Sequence, residues 1–310
     1  MSKVSRRKFL AGSLAGGAAV VAAPAKKALA AGNFSGFPDG MGVLVDLTRC
    51  VGCRSCEAAC NKEQNLPKPA VPFDDTSVFD LTFHHGTQKR RPDENAYTVV
   101  NRYEPEGMDK PTYRKMQCMH CNEPSCLTSC FVKAYTKTDE GAVVYDEHVC
   151  VGCRTCMVAC PHNIPAYAYS KVINPVVKKC IFCYDTRVSQ GKPPACVDIC
   201  PAQVMTFGKR KDLLKLAKAR IKRNPEKYQT EIYGEETVGG SAWMYISGAP
   251  LDEVGCDTSL PKEPIISNVK GFLGVVPMVL SIWPALFTGF HLLATKNKDH
   301  HDSHHAEGEE

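Results

Sequence analysis

The first thirty residues contain no acidic side chain, and residues 271–295 contain no charged side chain of either sign. Between these ends the chain lacks the marks of a catalyst. There is no nucleophile motif, and no metal triad stands apart from the cysteines. Regular hydrophobic periodicity is sparse, so little apolar core is available per residue. A true basic excess is missing as well. The nominal net charge is +5, but six of the 38 Lys/Arg residues fall in the first thirty positions, and the other 32 face 33 acidic residues. Charge therefore gives no argument for a nucleic-acid partner.

Cysteine is abundant. Sixteen of the 17 cysteines fall into four groups: Cys50-Cys53-Cys56-Cys60, Cys118-Cys121-Cys126-Cys130, Cys150-Cys153-Cys156-Cys160 and Cys180-Cys183-Cys196-Cys200. The first and third read C-x2-C-x2-C-x3-C, the bacterial ferredoxin spacing for a cubane iron–sulfur cluster. In that run the first three thiolates wrap one cluster, and the fourth ligates the other cluster of a pair. Gly52 and Gly152 sit inside the first C-x2-C, where a tight wrap needs unusual backbone angles. Pro161 and Pro201 follow the last cysteine of groups three and four, whereas Asn61 and Phe131 stand there in the other two. Sixteen thiolates suffice for four 4Fe-4S clusters, and four one-electron carriers on one chain are most simply a wire.

Two other chemistries use dense cysteine. Disulfide frameworks do not repeat C-x2-C four times, and the cysteine total is odd. Zinc sites use paired C-x2-C but give no reason for a third cysteine two residues later. Both remain alternatives to iron–sulfur binding. Cys256 stands alone and reads as a small buried or free thiol. The segment Thr48-Arg49-Cys50-Val51-Gly52-Cys53-Arg54-Ser55-Cys56 returns around Cys150-Val151-Gly152-Cys153-Arg154-Thr155-Cys156, as duplication of a two-cluster unit would produce. Arg49, Arg54, Arg154, Lys178 and Lys179 flank the cysteines and either offset cluster charge or sit in solvent.

The ends read as targeting and anchoring segments. Ser5-Arg6-Arg7-Lys8-Phe9-Leu10 matches a twin-arginine export signal, with Ala28-Leu29-Ala30 as its cleavage site. The charge-free stretch from Gly271 to Thr295 is long enough to cross a bilayer, and Lys296 and Lys298 then place the tail in the cytoplasm. The expected organisation is a signal peptide at 1–30, a four-cluster body at 31–264 and a transmembrane helix at 265–295. A His-rich cytoplasmic tail follows at 296–310. The localisation expected from this is a single-pass inner-membrane protein with its cluster body on the periplasmic side. In the body, short strands are expected at Tyr97–Tyr103, Ala142–Tyr145, Val204–Phe207 and Ala242–Ser247, and an amphipathic helix at Asp212–Arg223. Leu66–Asp93, rich in proline and charge, is expected as a surface insertion.

The body from Leu44 to Pro250 resembles the four-cluster ferredoxin-type subunits of membrane-bound respiratory oxidoreductases. It is most similar to the iron–sulfur subunit of hydrogenase-2-type nickel–iron hydrogenases. The residues that carry the resemblance are Cys118-Met119-His120-Cys121, Cys156-Met157-Val158-Ala159-Cys160-Pro161, and Tyr233-Gly234-Glu235 with Gly239-Gly240. It implies an α+β fold of duplicated, two-cluster ferredoxin-like domains with long loops, the second cluster pair centred on 116–165. It also implies crossed ligation: Cys50, Cys53, Cys56 and Cys200 on one cluster, and Cys60, Cys180, Cys183 and Cys196 on its neighbour. The third cluster would take Cys118, Cys121, Cys126 and Cys160, and the fourth Cys130, Cys150, Cys153 and Cys156. The implied role is electron transfer without catalysis, between a periplasmic hydrogenase and a polytopic, quinone-reactive membrane subunit. The alternative partner is a molybdopterin enzyme of the formate dehydrogenase or polysulfide reductase type.

Overall fold

The computed structural model of the protein describes residues 40–80, 89–171, 176–267, 275–276, 279–292 and 295. The leader at 1–30 and the tail at 296–310 lie outside the described residues. The chain divides into two units, Gly36–Asn268 and the combination of Met1–Ser35 with Val269–Glu310.

Among its described residues the larger unit contains nine short strands and five α-helices. In chain order they are β1 (Met41–Asp46), α1 (Ser55–Glu63), β2 (Val99–Tyr103), β3 (Thr112–Met116), α2 (Ser125–Thr128), β4 (Tyr135–Lys137) and β5 (Val143–Tyr145). Then come α3 (Thr155–Ala159), β6 (Ala166–Tyr167), β7 (Val177–Lys178), α4 (Ala195–Asp198), β8 (Met205–Lys209), α5 (Arg210–Arg223) and β9 (Trp243–Ile246). The sheet order is β8-β1-β9, with β8 antiparallel and β9 parallel to the central β1. Three antiparallel hairpins, β2–β3, β4–β5 and β6–β7, complete the strand pairing.

The central sheet is covered on both faces, and strand alternation decides which residue goes where. Leu44, Met244 and Ile246 face α5, where Leu213 and Ala217 meet them with Tyr228 and Ile232. Val43, Val45, Trp243 and Tyr245 point to the opposite face, into a cluster that includes Phe182, Cys56 and Cys196. The cysteine loops are thus built on the Trp243/Tyr245 face of a genuine apolar core. That core is larger than sparse periodicity suggests, because each loop contributes one or two buried residues rather than a stripe.

The expected strands and helix are present with shifts of one to two residues at their ends. Leu66–Asp93 is not purely a surface insertion. Val78 within it is buried, and Arg90 reaches the buried Glu57.

The expected transmembrane helix over 265–295 is overturned, and with it that part of the fold class. Among the described residues of this stretch the longest continuous helical run covers 279–292. No described helix is long and apolar enough to cross a membrane. Spanning requires about 20 predominantly apolar residues. The stretch is free of charge, but freedom from charge is not apolarity. Ser281, Pro284, Thr288 and Gly289 dilute the helical run, and Thr288 Oγ1 donates back to the Pro284 carbonyl at 2.7 Å. The single-pass inner-membrane localisation rested on that helix and is withdrawn with it.

Candidate iron–sulfur centres

The duplicated sequence folds into a duplicated backbone. Gly52 and Gly152 adopt φ of 72° and 69°, and Arg54 and Arg154 follow with φ of 59° and 63° before α1 and α3. A left-handed turn of this kind suits glycine and is uncommon for arginine. It reverses the chain into the helix, burying Cys56 and Cys156 while Cys53 and Cys153 stay exposed. Cys53 Sγ lies 3.4 Å from Ser55 Oγ, and Cys153 Sγ lies 3.4 Å from Thr155 Oγ1.

The two copies differ in their surroundings. Arg54 is buried and bonded to Glu57 at 3.0 Å through Nη2, while Glu57 also accepts from Arg90 and from the Val100 amide at 2.6 Å. Arg154 is exposed, its guanidinium 5.1 Å from the Tyr167 ring centre. Arg49 is exposed, Lys178 pairs with Glu147, and Lys179 is buried. The flanking cations therefore split between the two roles left open for them.

Helix packing brings the groups together in pairs. Helix α1, carrying Cys56 and Cys60, packs against α4, carrying Cys196. Helix α2, carrying Cys126, packs against α3, carrying Cys156. Group one thus meets group four, and group two meets group three. One cavity is lined by Cys118, Cys121, Cys126 and Cys160 together with Lys179 and His162. A second is lined by Cys130, Cys150, Cys153 and Cys156 together with Tyr135 and Tyr145. Each takes three cysteines from one group and one from another.

The remaining eight thiols are linked by mutual charge. Cys50 is pushed up to about 11 by burial, with Cys200 and Cys53 adding repulsion. Burial holds Cys60 well above the ordinary thiol range, and Cys180, Cys196 and Cys183 push the same way. Cys180 is raised to about 12 and Cys183 to about 11, again chiefly by burial. Thiols this buried and this close resist ionisation together unless a cation sits among them, as thiolate ligands require. Backbone amides already point at several sulfurs: Ala134 to Cys130 at 3.3 Å, Gly152 to Cys150, Phe182 to Cys180 and Val204 to Cys200, each at 3.4 Å. Such N–H donors are a recognised control on cluster potential.

All 17 cysteines are free thiols. Among the described residues, no three His, Cys, Asp or Glu side chains are placed to hold a single metal ion. The two findings agree once size is considered. Four sulfurs on one zinc at about 2.3 Å would lie about 3.8 Å apart. A cubane spreads its thiolates more widely, one on each of four irons. Fours of cysteine around a cavity, too wide for one ion, fit a cluster.

Two lysines escaped the sequence reading, the buried Lys115 and the half-buried Lys137, while Lys179 was expected only as one of the cations flanking the cysteines. Lys115 Nζ donates to Gln117 Oε1 at 2.9 Å and lies 4.4 Å from the Trp243 ring centre. Lys137 Nζ donates to the Cys121 carbonyl at 2.9 Å, and Lys179 Nζ to the Cys180 carbonyl at 3.0 Å. Lysine is ordinarily a surface residue, so no local signal marks Lys115 or Lys137, and β3 buries Arg114 and Lys115 in succession rather than in alternation. His120 is fully buried, its Nδ1 accepting from the Val143 amide at 2.8 Å. Burial, aided by Lys179, Lys137 and Lys115, keeps its pKa well below the usual histidine value. Cys256 is buried beside Arg114, in the apolar cluster that also holds Cys56 and Cys196, as expected for a small buried thiol.

Comparison with known proteins agrees with this construction. Residues 49–134 and residues 110–210 each match a 4Fe-4S dicluster domain. The chain is similar to a protein of Nitratidesulfovibrio vulgaris strain Hildenborough, at 47% identity over 96% of this chain and 78% of the relative. It is 31% identical to the hydrogenase-2 operon protein HybA of Escherichia coli O157:H7, over 96% of this chain and 98% of that protein. It is 32% identical to the iron–sulfur subunit of the nitrate-inducible formate dehydrogenase of Escherichia coli K12, over 84% of this chain and 89% of the relative. The chain therefore belongs to the family of ferredoxin-type iron–sulfur subunits of respiratory oxidoreductases.

Proposed function

We propose that this protein is the electron-relay subunit of a hydrogenase-type oxidoreductase complex and holds four 4Fe-4S clusters in crossed sets. The first set is Cys50, Cys53, Cys56 and Cys200; the second is Cys60, Cys180, Cys183 and Cys196. The third is Cys118, Cys121, Cys126 and Cys160; the fourth is Cys130, Cys150, Cys153 and Cys156. The observation that carries the proposal is the pair of cavities each lined by one such foursome. Each cluster, when bound, takes up and returns a single electron.

Neighbouring charges support an order for the sets. Cys56 of the first feels Cys196 of the second, Cys180 of the second feels Cys118 of the third, and Cys126 of the third feels Cys156 of the fourth. The inner sets are largely buried, which excludes water and oxidants. The outer sets each expose one thiol, Cys53 and Cys153, beside the exposed Val51 and Val151. Those ends are where partners would give and take electrons. Likeness to HybA, a hydrogenase-2 operon protein, over nearly the full length of both chains favours a hydrogenase on one side; a quinone-reactive membrane subunit on the other side is part of our proposal. Likeness to formate dehydrogenase subunits keeps a molybdopterin partner as the second reading.

Purification of the native complex followed by metal analysis tests the assignment. Nickel with iron is expected. Molybdenum or tungsten in place of nickel would move the protein to the second reading. A chain that purifies without any oxidoreductase partner and without iron would overturn the relay itself.

A further inference from the structure

Lys115 lies on β3, in register with Val100, and its side chain is buried in the body. No carboxylate pairs with it among the described residues. Its Nζ has the Gln117 side-chain oxygen at 2.9 Å on one side and the face of Trp243 on the other. Gln117 is held in turn by Tyr245, whose hydroxyl receives Gln117 Nε2 at 2.7 Å and donates to the Lys115 carbonyl at 3.1 Å. Trp243 and Tyr245 are fully buried on β9, so this cradle is rigid. A lysine buried without a carboxylate costs several kcal/mol unless other negative charge compensates it. Trp243, against which the ammonium lies, packs in one buried cluster with Cys56 of the first set and Cys196 of the second. The thiols whose charge acts on Lys115 are these two with Cys60, Cys180 and Cys183 of the second set.

We infer that Lys115 is a potential-setting residue: a fixed positive charge, held by Gln117, Trp243 and Tyr245 between the first two thiol sets, that favours the reduced state of the clusters bound there. The inference rests on the four-cluster reading above and adds a role to a residue outside the ligand sets. Reduction adds one negative charge to a cluster. A cation in a low-dielectric interior stabilises that added charge more than it would in water. The effect should be greatest on the second set, since Lys115 acts on all four of its thiols. The cation lining the fourth set is Arg154, which is exposed, so that water screens its charge; the phenols of Tyr135 and Tyr145 line the same cavity. The first two clusters are thereby biased to fill before the fourth.

The test is an anaerobic redox titration followed by EPR on the full holo-protein, wild type against Lys115→Met and Lys115→Arg. The Met variant should bind the full complement of iron and sulfide. Its second cluster should lose at least tenfold in the equilibrium constant for reduction, which is 59 mV for a one-electron couple. A smaller fall is expected in the first cluster, and none in the third and fourth. The Arg variant, which keeps the charge, should restore most of the difference. Four unchanged potentials in a fully loaded Met variant would overturn the role, as would an equal shift in all four. Should the Met variant fail to fold, Gln117→Glu sets a carboxylate against the ammonium and must lower the same two potentials; unchanged potentials there overturn the role equally. Wild-type protein without clusters would instead defeat the four-cluster reading, an outcome separable by iron and sulfide assay alone.

Discussion

Cys118 lies close enough to Cys180 that its charge raises the proton affinity of the Cys180 thiol. At this junction Cys60 and Cys180, of groups one and four, share a buried cluster with Cys118 of group two, and Cys160 of group three packs against it. Lys179, next in sequence to Cys180, lines the cavity of the Cys118 set, so the junction is spanned by the backbone as well. If electrons cross the molecule, they cross here.

Crossed ligation predicts a remote effect. Cys200→Ser should damage the cluster held by Cys50, Cys53 and Cys56, although these residues lie far away in sequence. The cluster held by Cys60, Cys180, Cys183 and Cys196 should be affected less. EPR of the reduced variant identifies which signal disappears, and loss of the latter signal alone would contradict the crossed sets.

The turn at Gly52 should tolerate no side chain. A Cβ there would lie 2.4 Å from the Tyr113 ring, and its φ of +72° is strained for any other residue. Gly52→Ala should cost about 1–3 kcal/mol of stability, in the range of overpacked sites, and reduce loading of the first cluster. Gly107 shares the positive φ but has nothing within 4 Å of such a Cβ. Gly107→Ala is the control and should load all its iron. Equal iron content in the two variants would show that contact with Tyr113 is immaterial.

The Glu57 carboxylate binds Arg54, Arg90 and the Val100 amide. Removing it leaves one fully buried and one mostly buried guanidinium without an anion. Glu57→Ala should destabilise the body by about 3–5 kcal/mol, typical of breaking a buried pair from one side. Denaturant unfolding followed by cluster absorbance measures this; a change below about 1 kcal/mol would mean that water replaces the carboxylate.

The cysteine groups were legible because each lies in a short stretch of chain, residues 50–60 and 150–160 most compactly, and the spacing reports the wrap directly. Which group shares with which was not legible from spacing. It depends on α1 meeting α4 and α2 meeting α3, contacts between segments far apart in the chain. The resemblance to a known family supplied what spacing lacked. Strand β1 escaped notice because Met41–Asp46 is buried on both faces and shows no alternation of apolar and polar residues. Lys115 escaped for the opposite reason: a lysine reads as surface, and only its cradle of Gln117, Trp243 and Tyr245 shows otherwise. The anchor was misjudged because absence of charge was read as hydrophobicity, while proline, glycine, serine and threonine in the same stretch argued against it.

The central claim is that sixteen cysteines hold four cubanes, and metal content tests it most directly. Anaerobically purified protein should contain about sixteen iron and about sixteen acid-labile sulfide per chain, from four irons and four sulfides in each cubane. Zinc in place of iron, or iron near eight, would contradict the account.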